Sequence, residues 1–248
     1  MRNVLKMMSL LFVTLILSAC MYPQSERQKN DLPKESQIKM VDNAVTQYQE
    51  DNDGLLPFKT TEDHLNNREY LKYQVDFQKL VPDYLSDIPT TAYENGGHYQ
   101  YVIIDEDSDP KVKIADLRIT NTIRSLTTRL NVLSEHVELG ETIGPNVYAL
   151  DLDHYHLDQN PTVDSPYTGN ELNVYFNGGE EFLVDYREDV QHIIDDKGLS
   201  FDMGEDVRHV LYENTPVVPT YSPELTVDEN NNVIFTTSKI KNEKKWSY

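Results

Sequence analysis

The chain has 248 residues and a single cysteine, Cys20, so whatever it folds into is held without an internal disulfide. A protein in that position relies on its hydrophobic core alone. The same residue closes an apolar run. Arg2 and Lys6 give a positive start, and Met7 to Leu17 follow with only Ser9 and Thr14 as polar interruptions. At about 1.5 Å of helical rise per residue, such a run cannot cross a hydrocarbon core of roughly 30 Å. It reads as the hydrophobic region of a signal peptide spanning residues 1–19. With no other long apolar run, the remainder is expected to be a water-soluble body.

Leu17-Ser18-Ala19-Cys20 resembles the bacterial lipobox, in which the thiol receives a diacylglycerol and the preceding peptide is removed. A thiolate suits that transfer because it is the strongest side-chain nucleophile available. Two acyl chains, at about 0.8 kcal/mol per buried methylene, hold a protein to a bilayer where one does not. The resemblance implies Cys20 as the lipid-attachment residue, membrane lipid as a partner, and a place on the extracytoplasmic face of the cell membrane. Residues 20–33 then form the lipidated cysteine and a polar tether, whose residues 21–33 reach at most about 40 Å at ~3.3 Å each.

Charge excludes one class of partner. The chain carries 22 Lys and Arg against 42 Asp and Glu, net −20, and losing Arg2 and Lys6 with the signal peptide makes the rest more negative still. Without a basic cluster to displace phosphate counterions, nucleic acid is not an expected partner. Anionic headgroups would repel the body as well. The acidity suits solubility in a crowded envelope, and equally affinity for cations or a basic partner. The 16 tyrosines supply apolar area with a hydroxyl that stays wet, which fits thin α/β layers or a recognition surface.

Periodicity predicts an α+β body of two tandem helix-plus-antiparallel-sheet units, 34–119 and 120–200, with a C-terminal extension at 201–248. A first helix starts near Pro33, with Ile38, Val41, Val45 and Tyr48 on one face, and ends at Asn52-Asp53-Gly54. Tyr99–Ile104 and Val112–Leu117 read as a hairpin around the Asp105–Pro110 loop. A second amphipathic helix is marked by Ile123, Leu126, Leu130, Leu133 and Val137, closed by Gly140. Val147 to Leu157 reads as extended. Leu172–Phe176 and Phe182–Tyr186 form a second hairpin around Asn177-Gly178-Gly179. The entries to the two hairpins look alike, Pro89-Thr90-Thr91-Ala92-Tyr93-Glu94-Asn95-Gly96 against Ser165-Pro166-Tyr167-Thr168-Gly169-Asn170. Short helices follow at Val190–Ile194 and Val207–Leu211. A proline-bearing stretch, Pro216 to Pro223, leads to a last hairpin, and the tail carries Lys239, Lys241, Lys244 and Lys245.

The order Ala44-Val45, Tyr48, Asn52-Asp53-Gly54, Leu56-Pro57, Leu80, Pro89, Tyr93, Gly96 and Tyr99-Gln100-Tyr101 resembles the globular part of type II secretion pseudopilins. Ser165-Pro166-Tyr167, Gly169 and Val174-Tyr175 echo its hairpin portion. The resemblance covers about sixty residues and implies a domain shape. It does not imply filament assembly, because the prepilin cleavage signature and long stalk helix are replaced here by the lipobox. Taken whole, the chain is similar to bacillus-type lipoproteins of the YphF-like group, some of which are labelled transporter-associated binding proteins.

Candidate chemistry is sparse. Asp105, Asp107 and Asp109 have calcium-loop spacing with Asp116 at the twelfth position, but Pro110 occupies the place that needs glycine. Asp228, Asn230 and Asn232 depart further from that pattern. His154 and His156 would share one strand face about 7 Å apart, beside Asp153 and Asp158, without an identifiable third zinc ligand. Gly198-Leu199-Ser200-Phe201-Asp202 stops one residue short of a nucleophile elbow. No catalytic, cofactor or metal residue is therefore assigned, and Cys20 is the one functional residue. The expected role is a non-enzymatic, membrane-anchored envelope lipoprotein with an envelope protein as partner. A solute-binding subunit of an ABC-type transporter and a wall-active hydrolase with paired carboxylates are the alternatives.

Overall fold

Helix α1 (Glu35–Asp51) forms where the expected apolar face recurs, and Ile38, Val41, Ala44 and Val45 on it are buried. It ends where predicted. Asp53 and Gly54 turn to positive φ, and the Gly54 N–H closes on Gln49 O at 2.9 Å. These details come from a computed structural model that describes residues 33, 35–59, 69–133 and 136–236. The expected signal peptide, Cys20 and the lysines of the tail lie outside the described residues. The described residues from Pro33 onward form one compact unit of helices and antiparallel sheets, which is the α+β class.

The first hairpin pairs β1 (Tyr99–Ile104) with β2 (Lys111–Asp116), in register from Tyr99↔Asp116 to Ile104↔Lys111. Asp42 of α1 fixes the helix to it by accepting the Val112 N–H at 2.7 Å. Neither edge of the hairpin is left open, as a bare edge would invite pairing with another chain. Along β1, Val75 N–H donates to Tyr101 O and Ile103 N–H to Tyr73 O, at 3.0 and 2.8 Å. Helix α2 (Phe77–Leu80) follows that covering segment, capped by the Asp76 carboxylate. Along β2, Ile114 bridges in parallel to Val217, exchanging bonds with Pro216 O and Val218 N–H at 2.9 Å.

The second helix, α3 (Leu117–Leu133), differs from expectation at both ends. It begins directly after β2, because the Asp116 carboxylate accepts the Arg118 N–H at 2.9 Å and so caps the first turn. It stops before Val137, and Gly140 belongs to strand β3 (Leu139–Gly144) instead of closing the helix. Glycine is needed there because a Cβ would sit 2.8 Å from Leu150 O on the neighbouring strand.

Strand β4 (Val147–Leu150) pairs with β3. The expected extended segment ends there. Asp151 caps a helical turn, α4 (Leu152–Tyr155), by accepting the His154 N–H at 3.0 Å. Strands β5 (Thr162–Asp164), β6 (Glu171–Phe176) and β7 (Phe182–Val184) complete the second sheet, in the order β3-β4-β6-β5 with β7 on β6. The β6–β7 hairpin forms as expected, its turn wound around Asn177, whose Oδ1 accepts the N–H groups of Gly179 and Glu181. Helix α5 (Arg187–Lys197) ends at Gly198 with φ of 62°, and α6 (His209–Asn214) precedes the last hairpin, β8 (Leu225–Val227) with β9 (Val233–Phe235).

The largest core mixes these parts. Ile119 and Ile123 of α3, Val174 and Val184 of the second sheet, Ile194, Leu211, Leu225 and Phe235 all belong to it. A smaller cluster joins Leu71, Val102 and Ala115 to Val218. The proline-bearing stretch is thus a strap between sheets. Beyond its pairing with Ile114, it accepts the Tyr167 hydroxyl at Val217 O (3.3 Å), the Tyr186 hydroxyl at Thr220 O (3.0 Å) and the Val184 N–H at Tyr221 O (2.9 Å). Burial, with the Asp189 carboxylate second, pushes the Tyr186 phenol well above its ordinary range, so it acts as a hydroxyl donor. Tyr186→Phe should strand the Thr220 carbonyl and cost about 1–3 kcal/mol. Tyr186→Ala, which adds a cavity, should cost about 3–5 kcal/mol. Urea titration should show both midpoints falling at unchanged slope, and a Tyr186→Phe midpoint equal to wild type would count against the strap.

Candidate functional site

Three helices start on the same triplet. Asp116-Leu117-Arg118 opens α3, Asp185-Tyr186-Arg187 opens α5, and Asp206-Val207-Arg208 precedes α6. In each, the Asp Oδ1 accepts the Arg backbone N–H, at 2.9, 3.2 and 3.0 Å. The guanidinium then folds back onto the same carboxylate through Nε and Nη2. Each guanidinium also lies over an aromatic ring: Arg118 on Tyr99 at 5.6 Å, Arg187 on Phe235 at 3.9 Å, and Arg208 on Tyr70 at 5.7 Å. The repeated spacing is a signal that helical and strand periodicity does not register.

The Arg208 joint is the deepest, its side chain only 8% exposed. Glu69 reaches it from far along the chain, Oε2 to Nη1 at 3.0 Å. Burial alone would lower the guanidinium's pKa. The hydrogen-bonded Asp206, aided by nearby Tyr70 and Glu69, reverses that, so the net shift is upward.

Asp189, in the first turn of α5, is buried and held by hydroxyls. Its oxygens accept the hydroxyls of Ser165 and Thr168, both at 2.8 Å. Ser165 Oγ in turn accepts the N–H groups of Tyr167 and Thr168, so the carboxyl is the post around which the Ser165–Asn170 turn is wound. That turn and its counterpart at Pro89–Gly96 each carry a glycine near φ +80°, Gly169 and Gly96, which a side chain would strain. An open cleft of about 370 Å³ lies here, lined by Thr168, Asn170, Glu188, Asp189 and His192. Burial raises the Asp189 pKa to about 6, against the pull of the two hydroxyls; Glu188 adds to the rise and His192 opposes it. Such a carboxyl group titrates near neutral pH, which is the property general acid–base chemistry uses. Its two hydroxyl partners also make it a structural anchor.

The residues singled out by spacing fall elsewhere. Asp116 pairs with Tyr99 at the far end of the hairpin, roughly 16 Å of strand from Lys111 and the Asp105 loop, so it cannot join that loop. Asp109 pairs with Lys111 at 2.7 Å instead. His154 and His156 do not share a strand face, because they lie on the α4 turn and its left-handed cap, φ 52°. Asp228 organises the last hairpin, accepting the N–H groups of Asn230 and Asn232 and the Asn232 amide, and these hold its carboxyl below the usual range. Among the described residues, no group of three or more His, Cys, Asp or Glu converges as a metal site. None of the described helices is long and apolar enough to cross a membrane.

The Asp189 shift fixes a pH dependence. With the folded pKa raised from about 4 to about 6, its contribution to stability is fully present below pH 4 and lost as pH rises through 6. Over that window the loss is about 3 kcal/mol. Asp189→Asn removes the titration, so the variant should gain on wild type by about that amount between pH 4 and pH 7. Denaturation midpoints followed in parallel across this range test it, and a constant difference between the two proteins would exclude the effect.

Residues 34–116, one third of the chain, match the YphF family N-terminal domain, and the match ends on Asp116, the last residue of β2. No curated protein and no solved structure matches the chain. Over its first helix and hairpin, the chain is therefore similar to the YphF N-terminal domain, as its sequence leads one to expect.

Proposed function

We propose that the chain is an extracytoplasmic lipoprotein, held by a diacylglycerol on Cys20 and presenting a non-enzymatic interaction surface in the cell envelope. The observation that carries this is the placement of Leu17-Ser18-Ala19-Cys20 a short polar stretch ahead of the compact unit that begins at Pro33. That arrangement puts an anchor, a polar stretch and a folded body in the sequence order a tethered module needs. The body is two tandem pseudopilin-like units, 34–119 and 120–200, completed by 201–248. The duplication is supported by β1–β2 and β6–β7, each entered through a left-handed glycine turn and each left through an Asp-x-Arg triplet that starts a helix. The role of the surface is recognition, and the excess of acids suits a basic or cation-bearing envelope protein.

Cys20→Ala should move the protein from the membrane fraction to the soluble extracellular fraction. Intact mass of the wild-type protein should show a chain starting at Cys20 with two acyl chains on its sulfur. Equal membrane retention of the variant, or an unmodified thiol behind residues 1–19, would overturn the anchor. Mild-detergent extraction followed by size analysis tests the partner: migration of the extracted protein as a monomer at every salt concentration would overturn the interaction role.

A further inference from the structure

Among the described residues, strand β3 lies at one end of the second sheet, with β4 as its neighbour on one side. That neighbour holds it imperfectly, because the register shifts between Leu139 and Thr142 and again between Thr142 and Gly144. Gly140, Glu141 and Thr142 are exposed along it. The first hairpin, by contrast, has a segment laid on each of its edges. A strand of six residues with one open side is a template for another strand.

The last described strand ends beside this edge. A Cβ on Gly144, the final residue of β3, would lie 2.6 Å from Cδ2 of Phe235, the final residue of β9, so the chain after Phe235 sets out from that end of β3. It continues as Thr236-Thr237-Ser238-Lys239-Ile240-Lys241-Asn242. Threonine and isoleucine suit a strand, and Lys239 and Lys241, two apart, share one face of it. Residues 137–150 hold Glu138 and Glu141, both exposed, and no Lys or Arg. We propose that residues 237–242 add to the outer edge of β3 as an antiparallel strand, with Lys239 and Lys241 alongside Glu141 and Glu138. The reach is sufficient, since six residues at about 3.3 Å each cover the return from Gly144 to Leu139. Charge and linkage select the occupant. A second copy of the chain brings net −20 against a surface of the same sign. The 237–242 segment is positive and joined to the same chain, at an effective concentration on the order of millimolar. The docking needs nothing from Cys20, so it stands apart from the membrane anchor.

Two variants of the full protein test the added strand, one lacking residues 237–248 and one carrying Lys239→Glu with Lys241→Glu at unchanged length. Amide exchange, read by mass spectrometry on peptides covering residues 137–146, should be about tenfold faster in the deletion variant than in wild type. The charge-reversed variant should move in the same direction. Carbodiimide treatment of wild type should join Glu138 or Glu141 to Lys239 or Lys241. In an equal mixture of isotopically light and heavy protein, these crosslinks should be light–light or heavy–heavy. Exchange as slow in both variants as in wild type, or no such crosslink, would overturn the proposal. Crosslinks of which half are light–heavy would overturn it as well, because they place the strand on another copy.

Discussion

The strap at residues 216–221 is the constraint on which the arrangement depends, because two sheets draw hydrogen bonds from its few backbone groups. Its parallel pairing with Ile114 completes the outer edge of the first hairpin, and Thr220 and Tyr221 accept bonds from Tyr186 and Val184 at the end of the second sheet. Parallel neighbours require a crossover connection, and here the crossover from β2 to the strap contains the whole second sheet. The first hairpin is therefore finished only by residues made much later, so it cannot be a self-sufficient edge-free sheet on its own. Pro216 and Pro219 suit such a segment. They lack N–H groups that a fully paired strand would have to satisfy, and they leave the strap to bond at selected carbonyls.

Buried carboxylates are handled in two ways, and the difference decides their chemistry. Asp116 and Asp189 are 3% and 1% exposed, nearly equal in burial. Asp116 has a guanidinium folded over it by its own chain two residues away, at little loop-closure cost, while the Asp189 oxygens accept from the hydroxyls of Ser165 and Thr168. Burial raises the Asp189 pKa to about 6, because its two hydroxyl partners satisfy lone pairs and pull the value down only in part. Exposed ion pairs are worth little, but an arginine that covers a buried carboxylate is different. Removing it would leave an uncompensated interior charge, at about 3–5 kcal/mol. That places Asp116 among the joints of the fold despite the excess of acids on its surface.

What the sequence made legible was local. Helix α1, both main hairpins, α5, α6 and the last hairpin follow from apolar periodicity and turn residues, since each is decided within its own window. The errors occur where a single contact overrides the pattern. Asp151 turns His154 and His156 into a helical corner by capping it, and Gly140 looks like a helix stop but is required by the closeness of Leu150 O. The strap was unreadable because its pairing is non-local and its proline content mimics a plain loop. The Asp189 site was half visible. The Ser165–Asn170 turn stood out, but nothing in the sequence says that Asp189 sits beneath it. The Asp-x-Arg triplets were legible in principle, as three copies of one spacing, to a reading that tracks charges as well as hydrophobicity.

The tyrosines complete this logic for a chain without disulfides. Tyr99, Tyr101 and Tyr186 are almost wholly buried, and their hydroxyls meet Arg118, Thr91 and Thr220 O at 3.0 Å each. Tyr155 accepts the Glu138 N–H and Tyr84 the Asn52 amide, so phenols repeatedly join segments distant in sequence. A disulfide would act differently. It constrains the unfolded chain and is worth about 3 kcal/mol for a loop of moderate length, whereas each phenol bond contributes roughly 1 kcal/mol and only once its surroundings are folded. Stability built from such bonds is cooperative, because each is lost when the layer around it loosens. The ring area buried with each hydroxyl adds its own share, about 25 cal/mol per Å², and this helps the α+β body stand without a covalent crosslink.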